Sequence, residues 1–229
     1  MEASVLTALI NCAGCFVVKI CFISDTHLTE PRLPEAQILF HCGDLTFRGN
    51  EKEIRAASSY LRRTGFKEVI AIAGNHDFMA ERNLPFFRKL MAPTKILMDS
   101  GITSHGLKIW GCPWMPRFYD WAFMKSEEEL YNNHYSKIPE GLDILLTHGP
   151  AKWILDKTKR GDHAGSESLR RRLFEMTNPP KIVASGHIHK SDSTAIEVVR
   201  GITFINCSVL DEQYDPAWEP VVIDYERTD

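Results

Sequence analysis

Side chains that bind divalent metal ions occur in five short segments of the chain, and each segment follows an apolar stretch. These stretches are predicted to be strands, and strands of an open α/β sheet place their carboxyl ends around one crevice. Carboxylate, imidazole and carboxamide ligands without a thiolate suit Mn²⁺, Fe²⁺/Fe³⁺ or Zn²⁺. The pattern therefore predicts a site for two divalent metal ions. The segments are Asp25-Thr26-His27, Gly43-Asp44, Gly74-Asn75-His76-Asp77, Thr147-His148-Gly149 and Gly186-His187-Ile188-His189.

The first three segments supply ligands whose roles follow from their chemistry. Asp25 and His27 are two residues apart, and since side chains alternate along an extended chain, both can reach one ion. Asp44 follows the next strand, where a carboxylate can bridge two cations about 3.5–4 Å apart. Asn75 offers a neutral carbonyl oxygen to the second ion. Taken singly, each of these groups is also explained as an ordinary turn or capping residue.

In this order, the five segments resemble the calcineurin-like metallophosphoesterase superfamily, from about Val18 to the end of the chain. Stretches between them, at 107–114, 118–121 and 139–150, resemble the small metallophosphoesterase-domain-containing branch, which is associated with phosphodiesters, including cyclic nucleotides. The resemblance implies that His148 and His187 complete the second metal site and that His189 completes the first.

The resemblance also separates His76 from the ligands. It implies that His76 donates to a phosphate oxygen or protonates the leaving group, while Asp77 orients its ring. A carboxylate beside a protonated imidazole keeps the imidazole charged and aimed, which suits general-acid catalysis.

Two further residues are candidates for substrate binding. Arg48 occupies the arginine position of the G-D-x-x-D-R-G motif by which Ser/Thr protein phosphatases grip phosphate, although Phe47 replaces the second aspartate. A solvated surface charge is the alternative interpretation of Arg48. Trp114 belongs to an aromatic-rich stretch at 110–121, where a ring could stack a nucleobase and contribute ~1–3 kcal/mol per base. Packing of a loop onto the sheet is the alternative.

The expected fold class is α/β, with parallel and antiparallel strands. Helical spacing predicts helices over 51–63, 84–91, 126–132 and 166–176, with Gly65 as the C-cap of the first. After Gly186, strands over 195–199, 202–206 and 221–225 follow one another through short turns and are predicted to be antiparallel. The resemblance implies a four-layer αββα sandwich, in which two mixed β-sheets lie face to face and helices flank them.

Length and composition limit the classes of protein that fit. A chain of 229 residues with 44% hydrophobic content suits one globular domain. We expect a short N-terminal extension over 1–16 and a single metallophosphoesterase domain over 17–229. The formal net charge of -3 and the scattered Lys and Arg residues argue against long nucleic acid as a partner.

The apolar run at 5–18 invites a signal-peptide interpretation, but Glu2 and the absence of Lys or Arg before it argue against one. No segment has the length of a membrane span. We therefore expect a cytoplasmic protein without membrane attachment, with a weak signal peptide as the alternative. The sequence leaves the oligomeric state open.

Together, these observations predict a dinuclear metal-dependent phosphoesterase, a hydrolase that acts on phosphoric esters. The resemblance favours a phosphodiesterase that hydrolyses small organic phosphodiesters by attack of a metal-bridging hydroxide. A phosphomonoesterase or Ser/Thr protein phosphatase on the same centre is the first alternative, and a non-catalytic metal-binding scaffold is the second. The expected partner is a small phosphate-ester substrate.

Overall fold

A computed structural model describes residues 16–189 and 193–227 of the chain. Its helices are α1 (Glu51–Arg63), α2 (Phe78–Arg82), α3 (Leu84–Met91), α4 (Glu127–Asn133) and α5 (Glu167–Glu175), with a short 3₁₀ helix at Tyr135–Lys137. Its strands are β1 (Phe16–Ile23), β2 (Ile38–Cys42), β3 (Glu68–Ile72), β4 (Lys95–Ile96), β5 (Ser100–Ser104), β6 (Leu107–Cys112), β7 (Met115–Pro116), β8 (Met124–Lys125), β9 (Ile144–Thr147), β10 (Ile182–Ser185), β11 (Ile196–Val199), β12 (Ile202–Asn206) and β13 (Val221–Arg227).

Most strands form two mixed sheets. The first sheet has the order β13-β1-β2-β3-β4 and the second β11-β12-β10-β9-β6-β5, while β7 and β8 form a separate ribbon. The strands that precede the five predicted segments, β1, β2, β3, β9 and β10, lie inside these sheets and run parallel to their neighbours in that set. Their carboxyl ends therefore meet at one edge of each sheet.

Apolar side chains form a core between the sheets and a further core under the helices on each side. Strands that are buried on both faces have a nearly continuous apolar sequence, and β2 and β9 are examples. The four-layer αββα arrangement predicted for the chain is confirmed. Representative core residues are Ile20 and Ile144 between the sheets, Ile54 and Phe87 under α1 and α3, and Leu130 and Leu169 under α4 and α5.

Local capping signals account for the helix boundaries. Helix α1 begins after Asn50, whose side chain accepts a hydrogen bond from the Glu53 backbone N–H. It ends with Thr64 as its C-cap, so Gly65 lies one residue beyond the predicted capping position, with φ of +80°. Ser126 and Ser166 cap α4 and α5 in the same way as Asn50. The sequence did not predict α2, because five residues are too few to establish a helical period.

The last strand has a different partner from the predicted one. Strands β11 and β12 are antiparallel, as expected. However, β13 does not follow them in the second sheet, because the chain from Cys207 to Pro220 crosses to the other side of the molecule. There β13 pairs antiparallel with β1, with Ile223 opposite Ile20. The hydroxyl of Tyr225 donates to Asp143 Oδ1 across the core at 2.6 Å.

Phe16 is part of β1, so the first strand begins inside the predicted extension; residues 1–15 of that extension lie outside the described residues. Within the part of the chain that the structure describes, no helix is long and apolar enough to cross a membrane.

Candidate metal centre

The loops that follow β1, β2, β3, β9 and β10 meet at one end of the two sheets. Backbone hydrogen bonds join them: the N–H of Asp25 donates to Gly43 O at 3.0 Å, that of His27 to Asp44 O at 3.1 Å, and that of Gly186 to His148 O at 2.9 Å. The five predicted segments therefore form a single constellation across both sheets.

Within this constellation, three overlapping groups of side chains could each hold a metal ion. In each group, one ligand atom per residue lies within 4.8 Å of the others. Asp25, His27 and Asp44 each belong to two groups, so the groups form one continuous cluster rather than separate sites. The groups are Asp25, His27 and His189; His27, Asp44 and His76; and Asp25, Asp44 and His148.

Asp44 lies at the centre of the cluster. Its Oδ2 is 3.5 Å from His27 Nε2 and 3.4 Å from His148 Nε2, with His76 Nε2 at 4.0 Å. Its Oδ1 accepts a hydrogen bond from the backbone N–H of His76 at 2.8 Å. One carboxylate thus faces imidazoles from three different loops, as a group that bridges two cations must.

Four histidines of the cluster are oriented by backbone carbonyls. A carbonyl only accepts, so each Nδ1 carries the proton and each Nε2 is directed at the centre. A hydrogen bond from Nδ1 to a carbonyl fixes the ring and so prepares the imidazole to offer Nε2 to a metal ion. The Nδ1–carbonyl pairs are His27–Thr46 at 2.9 Å, His76–Phe47 at 2.8 Å, His148–Cys42 at 2.9 Å and His189–Asp211 at 2.7 Å.

The donor set fits a divalent cation. Among the described residues, His27 Nε2 is buried without a hydrogen-bond partner. Its lone pair faces the acceptor oxygens of Asp44 at a distance too long for a hydrogen bond, and a cation between them would satisfy both groups. Nitrogen and oxygen donors without sulfur match the ions predicted from the sequence.

Burial and mutual charge set the protonation of the cluster. Burial alone would raise the pKa of Asp25, but hydrogen bonding to His189 and nearby imidazoles lower it to about 2. Burial alone would lower the pKa of His148, but the Asp44 carboxylate outweighs burial and raises it to about 9. Burial dominates at His187 and lowers its pKa to about 4. The carboxylates are therefore ionised at neutral pH, and they give the centre the negative charge that attracts cations.

Left-handed backbone, rather than extended strand, brings the first ligands together. Asp25 and His27 have φ of 55° and 42°, and Asp44 and His187 have φ of 56° and 64°. We expected Asp25 and His27 to meet because they share one face of a strand end. That reason was wrong, since β1 ends at Ile23, before either residue. The two side chains converge because the loop coils after the strand.

Two glycines in the predicted segments allow the loops to approach closely. A Cβ on Gly74 would collide with Asp44 Oδ1 and with its backbone nitrogen. A Cβ on Gly186 would collide with Ser24 Oγ and Asp25 Oδ2. These glycines therefore permit the carboxylates to sit beside a neighbouring backbone.

Asn75 and His187 also lie at the centre, outside the three groups. Asn75 Oδ1 is 2.9 Å from His148 Nε2, so its carbonyl oxygen is directed at the position of the expected second ion. The His187 ring packs against His148 at 5.3 Å, while its backbone N–H donates to both carboxylate oxygens of Asp25 at 3.0 Å. Both assignments as ligands remain predictions.

Asp77 has a different role from the predicted one. The ring of His76 is oriented by the Phe47 carbonyl, whereas the buried carboxylate of Asp77 accepts from Leu45 N, Thr46 N, Thr46 Oγ1 and Gly74 N at 2.7–3.2 Å. Burial and the charge of Asp44 raise the pKa of Asp77 to about 6. Asp77 thus joins the loop after β2 to the loop after β3.

We predict that Asp77→Ala lowers the free energy of unfolding by about 3 kcal/mol, because several buried donors lose their acceptor. Urea unfolding measures the change, with Asp77→Asn expected to lose less and the exposed Asp120→Ala expected to match the wild type. Wild-type stability with reduced turnover in Asp77→Ala would instead support a direct role beside His76.

A cleft of about 770 Å³ opens over the cluster. Arg48 and Trp114 lie elsewhere. Arg48 has an exposed side chain, and its backbone N–H donates to Glu53. The Trp114 indole donates to Asp99 at 3.0 Å and stacks on His134 at 4.1 Å, so its ring has a packing role. The cleft is lined instead by Asp44, Asn75, His76, His187 and His189, and by Arg117, Phe118, Trp121, Arg160 and Tyr214.

Sequence reasoning identified the floor of this cleft but not its walls. Trp121 packs on His76 with ring centroids 4.4 Å apart, and Tyr214 contacts His27 at 4.9 Å. Trp121 belongs to the aromatic-rich stretch noted in the sequence, whereas no motif marks Arg117, Arg160 or Tyr214.

The fold and this cluster define the class of protein. The model of the calcineurin-like phosphoesterase superfamily domain matches residues 18–217. The chain therefore belongs to the calcineurin-like phosphoesterase superfamily, as the five segments predicted, and it carries a hydrolase domain that acts on phosphoric ester bonds. Divalent metal ions are typical of this family.

Two relatives in sequence agree with this assignment. Human metallophosphoesterase domain-containing protein 1 is 31% identical over 228 residues, which cover 88% of this chain and 69% of that protein. A UPF0046 protein of Caenorhabditis elegans is 29% identical over 235 residues, covering 90% of this chain and 80% of that protein. Among solved structures, an archaeal phosphodiesterase is similar at 15% identity and a TM-score of 0.45, covering 90% of this chain and 99% of that one.

Proposed function

We propose that the protein is a phosphodiesterase that hydrolyses small organic phosphodiesters with the help of two divalent cations. The observation that carries the proposal is the position of Asp44, whose Oδ2 lies within 4.0 Å of imidazoles from three loops. In this proposal, Asp25, His27 and His189 would hold the first cation, Asn75, His148 and His187 would hold the second, and Asp44 would contribute to both.

When bound, two such cations lower the pKa of water and neutralise charge on phosphoryl oxygens. The chain's own contribution is to fix the ligands. Asp44 and Asp25 bring negative charge, and the backbone carbonyls accept from the Nδ1 atoms of four imidazoles, which directs each Nε2 at the centre. Little reorganisation is then needed when substrate enters, which favours the transition state.

His76 is proposed to protonate the leaving group. Its side chain is 13% exposed, whereas those of His27 and His148 are fully buried. It lines the cleft, and its Nδ1 is fixed by the Phe47 carbonyl, so Nε2 is the atom that can carry a proton to substrate. Trp121 packs on the ring and limits its rotation. A group in this position can act on an oxygen that departs from phosphorus.

The choice of diester over monoester rests on the position of Arg48 and on the resemblance to the metallophosphoesterase-domain-containing branch. Arg48, the proposed counterpart of the phosphate-gripping arginine of protein phosphatases, does not line the cleft. A monoester dianion needs more positive charge than a diester monoanion. The resemblance to the metallophosphoesterase-domain-containing branch supports the same choice and points to cyclic nucleotides as one substrate class.

A phosphomonoesterase on the same centre is the second candidate, and one observation favours it. Arg117 and Arg160 line the cleft, and both side chains are exposed to solvent. Two guanidinium groups at the mouth would attract a dianion more strongly than a monoanion.

We predict that the purified protein with added Mn²⁺ hydrolyses bis(p-nitrophenyl) phosphate with a higher kcat/KM than p-nitrophenyl phosphate. The same screen should include 2′,3′- and 3′,5′-cyclic nucleotides, with Zn²⁺ and Fe²⁺ compared against Mn²⁺. Comparable kcat/KM values for the two aryl esters would favour the monoesterase. No hydrolysis by protein that retains two cations would favour a non-catalytic scaffold.

A further inference from the structure

Tyr214 lies directly over the candidate metal centre, although no predicted segment contains it. Its ring centroid is 4.7 Å from that of His189, 4.9 Å from that of His27 and 6.0 Å from that of Phe47. The side chain lines the cleft and is 42% exposed. The ring is therefore packed on two of the proposed ligands on one side and accessible to substrate on the other.

A tight turn builds this position. Tyr214 has φ of 64°, a left-handed conformation that is unfavourable for a bulky aromatic residue. The turn is closed by Asp211, whose carboxylate accepts from Gln213 N at 2.9 Å and from Asp215 N at 3.0 Å. The backbone N–H of Tyr214 donates to Asp211 O at 3.0 Å. A residue kept in a costly conformation by surrounding contacts is often functional.

The same turn also orients one of the proposed ligands. Asp211 O accepts from His189 Nδ1 at 2.7 Å as well as from Tyr214 N. The adjacent Glu212 pairs with Lys159 at 3.2 Å, which ties the turn to the loop on the facing side of the cleft. The turn thus fixes Tyr214 relative to the metal centre and not merely relative to its own chain.

We propose that Tyr214 positions the substrate by donating a hydrogen bond from its hydroxyl to a phosphoryl oxygen. A phenol of ordinary pKa, about 10, is a neutral hydrogen-bond donor near pH 7. Among residues 16–189 and 193–227, the hydroxyl has no hydrogen-bond partner, which leaves it available to a ligand.

This inference rests on the proposed phosphodiesterase function and makes its substrate class more specific. A phosphodiester carries one negative charge, and a neutral hydroxyl can bind one of its oxygens without adding positive charge. The hydroxyl is therefore placed to hold a phosphoryl oxygen of a monoanionic phosphodiester at the point nearest the metal ions.

The test is the substitution Tyr214→Phe, which removes the hydroxyl and keeps the ring on His27 and His189. Tyr119→Phe is a matched control, because Tyr119 also has a left-handed φ of 57° but is 75% exposed. We expect Tyr214→Phe to lower kcat/KM for bis(p-nitrophenyl) phosphate by about 10-fold, as for one hydrogen bond to a charged group. Its metal content should change little, and Tyr119→Phe should match the wild type.

Binding of diphenylphosphinate, an inert monoanionic mimic of a diester, is measured in parallel by calorimetry on the metal-loaded protein. We expect weaker binding in Tyr214→Phe and wild-type binding in Tyr119→Phe. This result would support the inference even if the protein hydrolysed neither ester, an outcome that would count only against the proposed function. Wild-type kinetics and binding in Tyr214→Phe would overturn the hydroxyl's role. Loss of metal from this variant would show that Tyr214 acts only by supporting His27 and His189.

Discussion

Replacing Asp44 with alanine is expected to remove both metal ions and nearly all phosphoesterase activity. The Asp44 carboxylate faces His27, His76 and His148 together. Without it, each proposed ion loses a charged ligand, and the remaining imidazoles are left close together with less negative charge to offset a bound cation. The variant should stay folded, because Asp44 accepts only one backbone hydrogen bond, from His76, while the core clusters are untouched.

Metal content per chain can be counted by inductively coupled plasma mass spectrometry, and folding can be followed by circular dichroism. Asp224→Ala serves as the control, since Asp224 is exposed on β13, away from the cluster. Two ions retained by the Asp44→Ala protein would rule out the bridging assignment. One retained ion would show that the two positions are occupied independently.

The second large effect is expected from His76→Ala, which should keep its metal ions and lower turnover by about 10²–10⁴-fold if His76 is the general acid. A departing nitrophenolate is stable without a proton, whereas an alkoxide is not. The loss should therefore be small for p-nitrophenyl esters and large for alkyl esters or cyclic nucleotides. A series of aryl and alkyl diesters measures this dependence on the leaving group.

The geometry makes this experiment necessary, because His76 also belongs to one of the three groups that could hold an ion. Loss of metal from His76→Ala would assign it as a ligand and contradict the division implied by family resemblance. An equal loss across all leaving groups would indicate phosphate positioning instead of proton transfer. His105→Ala, a substitution of an exposed histidine near Glu68, controls for the removal of an imidazole.

The sequence predicted which residues would meet but not how they would do so. The residue types and their order after apolar runs sufficed to place Asp25 and Asp44 at one centre. The loop conformation could not be predicted, because left-handed φ values at Asp25 and His27 depend on hydrogen bonds to the neighbouring segment at Gly43 and Asp44. A period-2 argument describes a strand, and the strand had already ended.

Roles that depend on tertiary contacts were also beyond sequence reasoning. Trp114 and Trp121 lie in the same aromatic-rich stretch, and only the positions of Asp99 and His134 decide that Trp114 turns inward while Trp121 faces the cleft. Asp77 follows His76 in the chain, yet its carboxylate is directed at the backbone of Leu45 and Thr46. The resemblance implied that Asp77 orients His76, whereas the packing gives that role to the Phe47 carbonyl.

The pairing of β13 with β1 has a consequence for biosynthesis. Strand β1, which leads into the first metal-binding segment, leaves the ribosome well before β13, and its second hydrogen-bonding edge is covered only when β13 emerges. Until then, a nascent chain exposes an unpaired and largely apolar strand edge, which is a template for pairing with other chains. Protection of this edge therefore depends on a strand that is synthesised about 200 residues later, and not on its neighbours in sequence.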